Sequence, residues 1–470
     1  MVRYTWKIAI FGSSNDYAMR DAAFVRSALL PDGFNFQSCM KRFLISLFAL
    51  LGALPAFAQN NYPANSDYLW VTVPDHADWL YKTGEKARIR VEFFKWGIPR
   101  DAVVEYTLAD DRLADDKSGT AVLKDGACTI DMGTRKTPGF RDLRLRITLD
   151  GKTYRHHVKV GFSPEKIVPY TKEPADFTAF WDETLAEASR TPLSYTRERY
   201  PALCSDQVDC DLVQLKVNER QCVYAYLFTP VGAKAGACPA VLCPPGAGIK
   251  TIKNPKPYYA ENGFIRLEME IHGLDPRISE ETFAEITAAF NSAANGYLEN
   301  GIDSRERYYM RHVYVALVKA IDLLTSLPEW DGRNVAVQGG SQGGGLALVA
   351  AGLDKRVTQC VVNHPALADM AGYAEPGRTG GYPHMSREIL TPEHIRTLSY
   401  YDAVNFARHI TCPVRMTWGY NDNVCTPTTS YAVWNTLTCP KQAVITPINE
   451  HWTTDETERG HMAWILENLR

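Results

Sequence analysis

None of the chain's 11 cysteines pairs as CxxC, and none stands at a ligand spacing from a histidine, so no metal is expected and zinc least of all. A basic excess is missing too. Lys+Arg number 51 against 54 Asp+Glu, a formal charge of -3, which gives no field for neutralising phosphates and speaks against nucleic acid as a partner. Apolar runs long enough to span a bilayer are also lacking, since about 20 residues are needed. The 470 residues are 45% hydrophobic and 22% charged, enough to bury a sizeable core in two or three domains, with no disorder signature.

One shorter apolar run sits at an odd place. In MKRFLISLFALLGALPAFAQ, Lys41 and Arg42 precede an apolar stretch from Phe43, and Ala56-Phe57-Ala58 supplies small residues before Gln59. This pattern reads as a secretory signal peptide cleaved after Ala58. Residues 40–58 are therefore assigned to the signal peptide and residues 1–39 to an upstream misreading of the start. The mature protein is expected to be exported, periplasmic or extracellular, with no membrane span. In an oxidising compartment Cys204 with Cys210, and Cys412 with Cys439, are the candidate disulfides; the alternative is buried free thiols acting as small hydrophobes.

Periodicity divides the mature chain. Ala87, Ile89, Val91 and Phe93 alternate with Arg88, Arg90 and Glu92, and Leu143, Leu145, Ile147 and Leu149 alternate with Arg144, Arg146 and Thr148. Such alternation marks half-buried strands, and Asp125-Gly126 and Asp150-Gly151 are hairpin turns between them. Residues 59–162 thus read as a small all-β sandwich of immunoglobulin-like type. Trp70, Trp79 and Trp96 offer stacking surfaces for sugar rings, although core positions are the commoner use. After the prolines at 164, 169 and 174 the texture changes. A helix is expected from Asp176, and short apolar strands (239–243, 264–271, 335–338, 357–363, 413–418, 443–446) then alternate with helical patterns such as 307–327 and 343–353. That order predicts a mainly parallel sheet with helices on both faces, over residues 163–470.

The stretch VQGGSQGGG lies between strand 335–338 and the helix after it. It carries no Gly-Lys-Ser or Gly-Lys-Thr, and its glycines lack the dinucleotide-binding spacing, so a phosphate cradle is not supported. Gly339-x-Ser341-x-Gly343 instead fits a nucleophile elbow, a sharp strand-to-helix turn where a Cβ at 339 or 343 would clash and the serine is pushed out near a helix N-terminus. A serine hydroxyl needs a base and an orienting acid. In the chain order Ser, Asp, His of an α/β-hydrolase, the acid follows the second strand after the elbow and the histidine the third. Asp422, after strand 413–418, and His451, after strand 443–446, stand at those places. Asp402 and Asp455 are the reserve acids; His461, His364 and His384 are worse placed. Gln342, next after the serine, and Ala247, in the small-residue turn after strand 239–243, are expected to supply the oxyanion-hole N–H groups.

These residues resemble the acetyl xylan esterase and cephalosporin C deacetylase family of α/β-hydrolases over roughly residues 170–470. The resemblance is carried by PADFTAFWDETLAEASRTPL, RERYYMRHVYVALVKAIDLLTSLPEWDGRNVAVQGGSQGGGLALVAAGLDKRV and YYDAVNFARHITCPVRMTWGYNDNVCTPTTSYAVWN, and by His451 before the last helix. It implies a serine carboxylesterase that deacetylates xylan or xylo-oligosaccharides without metal or organic cofactor, with Ser341, Asp422 and His451 as the triad. The chain departs from the family where Ile271-His272-Gly273-Leu274 replaces an Arg-Gly-Gln motif, where Glu450 precedes His451 instead of following it, and where Pro245-Gly246-Ala247 replaces a His-Gly-Tyr loop. These departures and the extra sandwich leave open both the substrate range and a homo-oligomer. The alternatives are another serine hydrolase, such as a uronoyl esterase or peptidase, and a non-catalytic carbohydrate-binding protein.

Overall fold

Alternating side chains after Tyr68 give the first layer pair. In the computed structural model, which describes residues 66–292 and 296–470, the chain divides into two units, Met1–Asp67 and Tyr68–Arg470. The expected signal peptide and upstream extension lie outside the described residues. The second unit opens with β1 (Tyr68–Pro74), β2 (Leu80–Tyr81), β3 (Ala87–Lys95), β4 (Ile98–Pro99), β5 (Ala102–Asp110), β6 (Asp115–Leu123), β7 (Ala127–Gly133), β8 (Gly139–Leu149) and β9 (Lys152–Phe162). One sheet joins β1, β3, β4 and β7; the other runs β2-β9-β8-β5-β6.

Ile89, Val91 and Phe93 of β3 share one buried cluster with Leu143, Leu145 and Ile147 of β8 and with Val158 of β9, while Arg88 and Arg90 point out. The two hairpin turns form as read, with Asp125-Gly126 at φ 49 and 75 and Asp150-Gly151 at φ 52 and 74. Both residues positive is the turn that matches strand twist. Of the three tryptophans weighed as sugar platforms, Trp70 is spent on the core, Trp79 packs against it, and Trp96 is 72% exposed.

The rest of the unit is a nine-stranded sheet: β10 (Tyr195–Arg199), β11 (Val208–Asn218), β12 (Gln221–Pro230), β13 (Cys238–Cys243), β14 (Ile265–Met269), β15 (Trp330–Gly340), β16 (Gln359–Asn363), β17 (Val414–Trp418) and β18 (Lys441–Ile445). Its order is β10-β11-β12-β14-β13-β15-β16-β17-β18, antiparallel up to the β12–β14 pair and parallel beyond it. Helices Met310–Ser326 and Gln342–Leu353 pack on this sheet, the second almost wholly buried because its residues, QGGGLALVAAGL, are apolar or small on every face. Every parallel strand ends on the same edge, where the loops after β13, β15, β17 and β18 gather. Ligands of open α/β sheets bind at that edge.

The disulfide expectation is corrected, and two features lie beyond the sequence reading. The disulfides do not form: all ten cysteines among the described residues are free thiols. Cys210 lies within β11 and offers its N–H to the Cys204 sulfur at 3.3 Å, while Cys412 and Cys439 are buried in the main core as small apolar groups. The antiparallel strands β10–β12 were not read from the sequence. Asp176 is the N-cap residue of the helix Phe177–Ser189 but makes no side-chain cap bond, its carboxylate being held by Arg305, 2.7 Å away, and by the Tyr400 hydroxyl. Among the described residues no helix is long and apolar enough to cross a membrane.

Candidate active site

Strand β15 ends at Gly340 and the next helix begins at Gln342, so Ser341 makes the reversal alone, at φ 58 and ψ -126. A side-chain-bearing residue held there stores strain of about 1–3 kcal/mol and persists only where its surroundings fix it. Here Ser341 donates its N–H to Asn363 O at 3.0 Å and accepts at its carbonyl from Ala366 N–H at 2.9 Å. The flanking glycines are required by space. A Cβ on Gly343 would stand 2.5 Å from the Pro244 carbonyl oxygen, and one on Gly339 would run into the backbone of Gly343.

The three residues expected as a triad come together. His451 Nε2 lies 3.0 Å from Ser341 Oγ, and His451 Nδ1 lies 2.8 Å from Asp422 Oδ2. Asp422 is fully buried, and its other oxygen accepts the N–H groups of Val424 at 2.7 Å and Cys425 at 2.9 Å. The carboxylate is thus aimed from both sides. With a carboxylate at Nδ1, the proton is assigned to that nitrogen, which leaves Nε2 to accept from the serine hydroxyl.

The reserve residues are occupied elsewhere. Asp402 caps the short helix Ala403–Ala407 and accepts N–H groups of Asp369 and Met370, both at 2.8 Å. Asp455 is exposed at the start of the last helix, Asp455–Glu467. His461, inside that helix, is bonded to Asn363 Oδ1 at 2.6 Å, and His384 faces the Tyr373 hydroxyl at 3.1 Å. His364 is nearer: its ring centre lies 4.4 Å from that of His451, and burial pushes its pKa down to about 4, so it stays neutral beside His451. Among the described residues, ligand atoms of His364, Asp422 and His451 lie within 4.8 Å of one another, close enough for a metal ion. Yet both His451 nitrogens already face Asp422 and Ser341.

Around the expected oxyanion hole, Gln342 opens its helix, where the first N–H groups have no intrahelical partner. The loop carrying Ala247 follows β13 and is held against the elbow by Tyr297. That hydroxyl donates to Gln342 Oε1 at 2.6 Å and accepts from Gly248 N–H at 3.0 Å. His272 braces the same loop, with Nε2 3.2 Å from Gly248 O and Nδ1 2.8 Å from the Tyr309 hydroxyl; burial lowers its pKa to about 4. Tyr297 left no mark in the sequence, whereas His272 was signalled by the departure at 271–274. A cleft of about 980 Å³ adjoins the elbow, walled by Pro244, Pro245, Gly339, Gly340, His364 and Thr453.

Comparison with known proteins bears on the family and the fold. The model of the family described as Acetyl xylan esterase (AXE1) matches residues 165–468. Acetyl esterase Axe7A of Xylanibacter ruminicola is 58% identical over 435 residues, 92% of this chain and 98% of its own. An acetyl xylan esterase from Paenibacillus sp. R4 superposes at a TM-score of 0.57 with 26% identity, over 65% of this chain and 98% of that one. Acetyl Xylan Esterase 1 from Thermoanaerobacterium sp. JW/SL YS485 gives 0.55 at 22% identity, over 65% and 97%. With an α/β-hydrolase sheet, a family model that matches residues 165–468, more than half of its length, and a 58% identical acetyl esterase, this chain is a carboxylic ester hydrolase and belongs to the acetyl xylan esterase family.

Proposed function

We propose that the protein removes acetyl groups from acetylated carbohydrate, xylan or xylo-oligosaccharide, through an acyl-enzyme formed on Ser341. Ser341 Oγ attacks the acetyl carbonyl carbon while His451 Nε2 takes the hydroxyl proton, and Asp422 stabilises the imidazolium. Backbone N–H groups of Gln342 and Ala247 receive the developing oxyanion. As the C–O bond to the sugar breaks, His451 returns its proton to the departing alkoxide. Water, deprotonated by the same imidazole, then releases acetate and restores the serine. The observation that carries this reading is the unbroken line from Asp422 to His451 at 2.8 Å and on to Ser341 at 3.0 Å, ending on a strained, half-buried serine. The carbohydrate assignment is supported by the relatives, which include an acetyl esterase and an acetyl xylan esterase. Exposed Ile448 and Trp452 flank His451 and give a sugar ring apolar surface beside the base. We further assign residues 59–162 to the sandwich and 163–470 to the catalytic part, in a chain exported through residues 40–58.

The test is acetate release from acetylated xylan and from acetylated xylo-oligosaccharides. Ser341→Ala is expected to lower kcat on the order of 10⁴-fold or more with the fold retained. A folded Ser341→Ala variant that still released acetate at the parent rate would refute the reading. Preference for uronate methyl esters or peptides in the same panel would overturn the substrate assignment while leaving the serine chemistry standing.

A further inference from the structure

The sandwich reaches into the site. Lys159 of β9 is 0% exposed, and its ammonium Nζ donates to the main-chain carbonyl of Asp422 at 2.7 Å while pairing with Asp111 Oδ1 at 2.8 Å. Its own N–H goes to Asn421 Oδ1 at 2.9 Å. Arg112 donates to Asn423 O at 2.9 Å, and Asp111 Oδ2 accepts from Thr428 Oγ1 at 2.7 Å. Residues 421, 422, 423 and 428 are thus each tied to a sandwich residue. The base loop is reached as well: His157, between Asp142 Oδ1 at 3.3 Å and Glu450 Oε1 at 3.4 Å, touches the residue before His451.

We propose that Lys159 is a positioning residue for ester hydrolysis: from inside the sandwich it fixes the loop that presents Asp422 to His451, so the sandwich aligns the triad. The inference rests on Asp422 being the acid. Its physical warrant is cost. Burying an ammonium carries a heavy desolvation penalty, and apolar side chains would join two domains at least as well. What an apolar side chain cannot do is hold the carbonyl of one chosen residue. Asp422 has spent both carboxylate oxygens on Val424, Cys425 and His451, so the direction of that carboxylate follows the direction of its backbone. A shift of about 1 Å in such a group is enough to cost two orders of magnitude in rate.

The test uses the full chain and three measurements: kcat and KM on a small acetyl ester, the rate at which an activated phosphonate labels Ser341, and the downfield proton resonance of an imidazole N–H bonded to a carboxylate. Lys159→Met is expected to lower kcat and the labelling rate 10- to 100-fold, to leave KM within twofold, and to shift or abolish the resonance. Because the single variant leaves Asp111 buried without its partner, a second carries both Asp111→Asn and Lys159→Met. It should regain stability toward urea and stay slow. A double variant that is stable, fast and unchanged in its resonance overturns the proposal. Arg112→Ala, at an exposed position, should lose two- to fivefold in kcat and provides a folded variant if the others fail to fold; no loss there counts against the clamp. Asp422→Asn in parallel separates the two ideas: if it keeps full kcat the triad reading falls, and if it alone loses kcat only the clamp falls.

Discussion

Buried histidines near the serine link the site to the stability of the fold. His364 is 8% exposed and His461 0%, and burial lowers their pKa values to about 4 and about 3, with His451 beside the first and Arg415 beside the second adding to the effect. An unfolded histidine titrates near 6.5. Both groups are therefore neutral in the fold when the unfolded chain would already be charged, and their contribution is complete above pH 6.5 and is lost as pH falls toward the folded values. At pH 5.5 each lowers stability by about 1 kcal/mol. Urea unfolding at pH 7.5 and 5.5 should show this loss, and His461→Gln should reduce it by about 1 kcal/mol; an equal loss in parent and variant would sink the account. At this scale the sequence was legible where chemistry follows chain order. Ser341, Asp422 and His451 follow β15, β17 and β18, the strand order from which the sequence singled them out. Lys159 was illegible, because the carbonyl it holds is 263 residues away and ordinary strand alternation already explained its neighbours.

The elbow is where an element and a residue constrain each other most tightly. Helix Gln342–Leu353 approaches the loop after β13 so closely that Gly343 has only 2.5 Å between a built Cβ and the Pro244 oxygen. Gly343→Ala must move backbone on one side or the other. The expected cost is about 1–3 kcal/mol of stability. Since the displaced loop carries Ala247, a fall in kcat larger than any change in KM should accompany it. Parent-like kcat together with parent-like urea stability would mean that the contact yields freely. The parallel strands around this elbow were readable as short apolar runs because both faces of the sheet are covered. Strand β10 was not: its burial runs from half-buried Tyr195 to four exposed residues, so no apolar period marks it. Cys210 misled in the same region, since a cysteine inside β11 spaced six residues from another looks in sequence like one end of a small loop.

Over the whole molecule the sandwich and the α/β sheet share side chains instead of merely abutting. Phe140 at the start of β8 belongs to the main core, its ring 5.1 Å from that of Tyr420 and 5.7 Å from that of Tyr431. Asn435 Nδ2 donates to the carbonyls of Pro164 and Ile167, both at 2.9 Å, fastening the connecting segment. Residues 68–470 form one unit by their contacts. The family match begins only at residue 165, and sequence patterning likewise saw two textures with a proline-marked junction, because periodicity reports which faces are apolar and not which partner covers them. If the shared core governs unfolding, hydrogen exchange in rising urea should release β5 and β8 at the same concentration as β15 and β16. Phe140→Ala should then lower the opening free energy of both parts together, by about 3–5 kcal/mol. Release of the sandwich strands ahead of β15 and β16 in the parent would show that the two parts unfold separately, and would also remove the rigidity that a clamp on Asp422 requires.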